Sequence, residues 1–126
     1  MAAPATPIFN ATIANAIAFG LLPPVLNGNS GAAFTVAWPS GASQKITLTA
    51  NCTFTFTAPP APLSDVNLTL YVTQDGTGSR TATWPAIVKW TGAAAPTLTT
   101  TAAAVDIITF KWDGTNYWGV MSPNFA

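Results

Sequence analysis

The stretch Leu68–Val120, LTLYVTQDGTGSRTATWPAIVKWTGAAAPTLTTTAAAVDIITFKWDGTNYWGV, decides the fold. Val66, Leu68, Leu70 and Val72 alternate with Asn67, Thr69, Tyr71 and Thr73. Successive side chains of a strand point to opposite faces, so this spacing predicts one buried face and one wet face. Asp75-Gly76-Thr77-Gly78-Ser79 supplies residues that tolerate positive φ and close a loop. Arg80 to Trp84 resumes the alternation, and Pro85 stops it because proline has no N–H for a ladder. Ile107, Ile108, Phe110 and Trp112 then lead into Asp113-Gly114-Thr115-Asn116, with Tyr117, Trp118 and Val120 beyond. An Asp-Gly pair between aromatic runs is a strong hairpin signal. The stretch is all-β.

Working outward, Ala33 to Trp38 reads as a strand closed by Pro39, and Asn27 to Gly31 as a turn-rich link before it. From Lys45 to Ala58 the alternation is longer than the usual strand of about five or six residues. A bend near Ala50-Asn51 is therefore expected. Ile46, Leu48, Cys52, Phe54 and Phe56 should be buried, with Thr47, Thr49, Thr53 and Thr55 on the other face. Pro59-Pro60-Ala61-Pro62 breaks the sheet before Asp65. Seven or eight short strands with such links suggest an antiparallel sandwich, jelly-roll-like, over residues 27–126.

Residues 1–26 carry no charge and form an extended N-terminal arm in this reading. Ile8, Phe9, Ile13, Ile17, Phe19, Leu21 and Leu22 make it apolar, and an exposed apolar patch marks an interaction surface. The segment is too broken to cross a bilayer and lacks the basic start of a signal peptide, since the first basic residue is Lys45. Two readings stay open: the arm lies on another subunit, or it completes its own domain.

Only 6% of the 126 residues are charged while 49% are hydrophobic, and the formal net charge is zero. Such a chain hides its apolar surface in a core or against neighbouring subunits, and a domain this small has too much surface to hide it all internally. No basic stripe exists to neutralise phosphates, which argues against nucleic acid. The chain has no histidine and no glutamate, so histidine triads and histidine metal sites are excluded. Cys52, the sole cysteine, reads as a small buried hydrophobe. Asp113 is explained as a turn residue and Asp75 as a loop residue, and Asp106 either caps a strand start or pairs with Lys89 or Arg80. No catalytic residue, cofactor or metal is expected. The five tryptophans, Tyr71 and Tyr117 could stack on sugars, but core or interface is the more economical role. Trp38 and Trp84, each before a proline, should plug the core. Tyr117 and Trp118 are neighbours and must point to opposite faces, so one of them is a candidate exposed contact.

The strings QDGTGSRTATWP, VKW, APTLTTTAAAVDIITF and WDGTNYWG resemble the β-module of tailed-bacteriophage virion proteins, a family that includes tail-fibre segments and small capsid-surface proteins. The resemblance spans roughly residues 34–120. It implies a non-enzymatic virion protein. A small chain that starts at its own Met and ends just after the module suggests a capsid decoration, or cement, protein. Such a protein would act as an oligomer, a trimer for preference, bound to the major capsid protein on the outer surface of the capsid. The alternative is a tail-fibre or receptor-binding module that recognises host surface carbohydrate.

Overall fold

Each alternating run becomes a strand, and the turn signals between them become corners. The computed structural model describes Phe19 and residues 22–126. Among them nine strands are formed: β1 (Val25–Asn29), β2 (Ala33–Ala37), β3 (Ser43–Leu48), β4 (Cys52–Thr57), β5 (Val66–Gln74), β6 (Ala82–Thr83), β7 (Val88–Trp90), β8 (Val105–Trp112) and β9 (Tyr117–Phe125). They make a six-stranded sheet in the order β1-β3-β5-β8-β9-β7 and a three-stranded sheet in the order β2-β4-β6.

The all-β, sandwich-like expectation holds, but the pairing is mixed. From β1 to β6 the chain changes sheet at every step. Strands β1, β3 and β5 therefore run parallel to one another, as do β2, β4 and β6. The result is three stacked rungs of a parallel coil, β1–β2, β3–β4 and β5–β6. Antiparallel pairing is confined to β5–β8 and β8–β9, while β7 joins β9 in parallel. The expected antiparallel jelly roll is corrected on this point. Alternation and turn residues look the same whether a link folds back within a sheet or crosses to the facing one. Parallel neighbours need a crossover, and here the facing sheet supplies it.

The corners show how the coil is held. Ser30-Gly31-Ala32 links β1 to β2, and Thr49-Ala50-Asn51 links β3 to β4 directly beside it. The Ser30 amide donates to the Thr47 carbonyl at 2.8 Å, the Gly31 amide to Thr49 Oγ1 at 3.0 Å, and the Thr53 amide to the Ala32 carbonyl at 3.0 Å. The third corner joins in the same way. The Thr81 amide donates to Asn51 Oδ1 at 3.0 Å, and the Cys52 amide to the Thr81 carbonyl at 2.8 Å. Asn27–Gly31, expected to be a link, is thus largely β1. Because β1 begins at Val25, the six-stranded sheet reaches two residues into the segment assigned to the arm.

Facing follows the alternation. Ile46, Leu48, Cys52 and Phe54 are buried and Phe56 is half-buried, while Thr53 and Thr55 are exposed. The expected bend at Ala50-Asn51 is the corner between sheets. Parallel register stacks Phe34 on Phe54 and Thr35 on Thr55. One rung further, Phe54 lies flat against Trp84, with ring centroids 4.9 Å apart and planes at 11°. Phe56 packs edge-on against Trp38, Phe110 and Tyr117 at 5.6, 5.2 and 5.1 Å. Trp38 and Trp84 are core residues, as their place before a proline suggested.

Two buried glutamines close the ends of this core. Gln44 Nε2 donates to the carbonyls of Ala37 and Gly41, and its Oε1 accepts from Asn27 Nδ2. Gln74 Nε2 donates to the carbonyls of Arg80 and Thr99, and its Oε1 accepts from the Arg80 amide. A buried amide with its partners satisfied specifies the loop it holds, because any other loop path would leave it unpaired.

Candidate functional site

Asp75, Asp106 and Cys52, the residues that could have carried chemistry, are engaged in structure. Asp75 accepts from the amides of Thr77 and Gly78 and pairs with Arg80 at 3.0 Å. The Arg80 guanidinium, with the Gly78 amide behind it, holds the Asp75 carboxyl below the usual carboxylate range. Asp106 is buried and pairs with neither Lys89 nor Arg80. Its Oδ2 accepts from the Thr99 amide at 2.7 Å and its Oδ1 from the Asn124 amide at 2.9 Å, which ties the end of β9 to the chain before β8. Burial pushes the Cys52 thiol up, so it stays protonated at neutral pH. Among the described residues no cluster of metal-ligating side chains occurs, and no helix is long and apolar enough to cross a membrane.

The expected contact residues fall in different places. Ile8, Phe9, Ile13, Ile17 and Leu21 lie outside the described residues. Phe19 is buried in the domain's own core, with its carbonyl accepting from the Ala42 amide at 3.2 Å, whereas Leu22 is exposed. Tyr117 is core and Trp118 is the exposed neighbour, as alternation requires. Tyr117 therefore offers no surface contact, and its burial pushes its hydroxyl up to about 12.

What remains is the outer face of the six-stranded sheet. Register places Asn67, Lys111, Trp118 and Lys89 in one row across β5, β8, β9 and β7. A second row runs Ser43, Thr69, Thr109 and Val120, and a third runs Leu26, Lys45, Tyr71 and Ile107. All three lysines of the chain stand on this face. Trp118 and Val120 are 49% and 53% exposed. Lys45 sits over the Tyr71 ring at 5.3 Å, and Lys111 pairs with Asp65 at 3.1 Å.

Trp118 is held rather than loose. Its indole Nε1 donates to Asp113 Oδ2 at 2.8 Å, while Asp113 Oδ1 accepts from the amides of Thr115 and Asn116 at 2.8 and 2.7 Å. The Asn116 amide, the indole and the Thr115 amide together keep the Asp113 carboxyl below its ordinary range. The hairpin turn thus fixes the one exposed tryptophan among the described residues, with its polar edge satisfied and its ring available. Sequence reasoning had placed one of Tyr117 and Trp118 at the surface. It had missed the lysine row, because which strands are neighbours depends on the sheet order.

A β-platform with an aromatic and cationic outer face is the kind of surface that a structural or binding module presents. The chain matches, over residues 34–117, the family described as "putative phage tail fibre C-terminal domain", and it belongs to that family. It is a phage virion component of structural kind. No curated protein and no solved structure matches it.

Proposed function

We propose that the chain is the host-contacting module of a phage tail fibre and that the outer face of the six-stranded sheet makes the contact. The observation that carries this reading is the family match, which spans β2 to the start of β9 and so includes most of the strands that build the face. The stacked corners and glutamine clamps give the face a stiff support. A stiff face helps recognition, because little ordering entropy is lost on contact. Capsid decoration draws no comparable support, since it rested on the apolar arm and on where the chain starts and stops. The module acts as an oligomer in this reading, which repeats the contact and multiplies weak binding into avidity.

Labelled antibody against the module, imaged on intact virions by electron microscopy, tests the location. Label at fibre ends is the expected result. Label over the capsid faces would overturn the reading in favour of decoration. Light scattering of the purified protein would check the oligomer, and a monomer at virion-like local concentration would remove the avidity argument.

A further inference from the structure

We infer that the row Asn67–Lys111–Trp118–Lys89 is a binding strip for an acidic glycan, one bearing carboxylate groups on its sugars. The inference rests on the fibre reading for its biological setting but on the geometry of this row for its chemistry. Four adjacent strands at roughly 4.8 Å spacing give a strip about 14 Å long, the scale of a two- or three-sugar segment. The exposed Trp118 ring offers a flat apolar surface for the C–H face of a pyranose. Lys111 and Lys89 flank it on either side in register, and Asn67 adds an amide donor and acceptor at one end.

Charge decides between an acidic and a neutral sugar. The chain as a whole is neutral, yet its three lysines are gathered on this face. Of the four aspartates, Asp106 is buried and Asp75 is committed to Arg80 and its own loop. Asp113 reaches the strip only through the Trp118 indole, and its two oxygens are occupied by that N–H and two backbone amides. Asp65 is the remaining carboxylate, and it holds Lys111 in an exposed pair that is worth little in water. A ligand carboxylate can replace it there. Lys89 makes no ion pair among the described residues, so it presents its full charge. Lys45 lies over the Tyr71 ring and Lys111 pairs with Asp65, which leaves Lys89 as the ammonium group with no such contact among the described residues.

The test uses immobilised full-length protein with two acidic polymers, alginate and polysialic acid, and neutral dextran as the comparison. The expected result is binding of at least one acidic polymer, no binding of dextran, and a marked loss at high salt. Trp118→Ala and Lys89→Glu should each weaken binding by about tenfold or more. Because Trp118→Ala also removes the indole bond to Asp113, Trp118→Phe serves as its companion. It keeps a ring without that bond and should bind within a few-fold of the parent.

Equal binding of dextran, no binding of either acidic polymer, or variants that bind like the parent would each overturn the strip. So would Lys89→Glu dissociating an oligomer, since the face would then be a contact between copies. Label at fibre ends with no acidic-polymer binding sinks the strip and leaves the fibre reading standing. Acidic-polymer binding with label elsewhere on the virion does the reverse.

Discussion

Gly78 shows how closely single residues are fitted in this coil. It sits at φ +73°, in the left-handed region, and an added Cβ would lie 2.5 Å from the Thr100 carbonyl oxygen and 2.9 Å from the Ala102 amide nitrogen. Both neighbours are backbone, so neither can swing aside. Gly78→Ala is expected to destabilise the protein by about 2 kcal/mol or more, read as a lower denaturation midpoint. An unchanged midpoint would mean that the 75–80 and 99–102 loops do not pack as described. Tyr117 gives a pH-dependent counterpart. Its hydroxyl is raised to about 12 by burial, so the folded state resists ionisation more than the unfolded chain does. The stability from keeping it neutral is fully present below the ordinary tyrosine value of about 10 and is lost as pH rises toward the raised value. Phenolate absorbance should therefore show Tyr117 ionising only toward the raised value, with unfolding in the same alkaline range. Ionisation of Tyr117 near the ordinary tyrosine value in a still-folded protein would contradict the burial.

At the scale of elements, what could be read in the sequence was facing, and what could not was adjacency. The run from Lys45 to Phe56 showed which side chains are buried, because period-two alternation is a local property. It showed a break at Ala50-Asn51 as well, but not that the two halves lie in opposite sheets. Ser30–Ala32 and Thr49–Asn51 look like hairpin loops by composition, and only the bonds between corners reveal a coil. The same limit hid the row Asn67–Lys111–Trp118–Lys89, whose members come from four strands. The β8–β9 hairpin was legible around its turn, with Trp112 opposite Tyr117 and Phe110 opposite Gly119, but not in its continuation to Phe125 opposite Val105. Asp113-Gly114 forms its turn, and Gly114 stands at φ +91° with Ser64 Cβ 3.1 Å from where a Cβ would be. Gly114→Val is expected to cost about 1 kcal/mol or more. Thermal unfolding followed by circular dichroism checks it. A more specific readout is the indole N–H resonance of Trp118, which should shift as the turn loses its grip on Asp113.

At the scale of the whole molecule, the boundary between arm and domain governs how the arm can be tested. A cut after residue 26 removes more than the arm, because it also takes Phe19 from the core and Val25 and Leu26 from their places beside Gln44 and Lys45 in β3. Burying a phenylalanine side chain contributes roughly 1.5–3 kcal/mol, and the lost bond from Ala42 to the Phe19 carbonyl adds to that. A protein lacking residues 1–26 is therefore expected to unfold at a lower denaturant concentration than one lacking residues 1–18, by the equivalent of about 2–4 kcal/mol. Urea titrations of the two truncated forms, compared at equal slope, make the measurement. Equal midpoints would mean that Phe19 and the start of β1 contribute nothing to the domain. The shorter deletion is then the correct probe of assembly. It removes Ile8, Phe9, Ile13 and Ile17 while sparing the rung edge on which β3 and the outer face depend. Loss of oligomers in that form, with the β-signal intact, assigns the apolar arm to contacts between subunits. Loss of oligomers only in the longer deletion assigns them to a damaged domain.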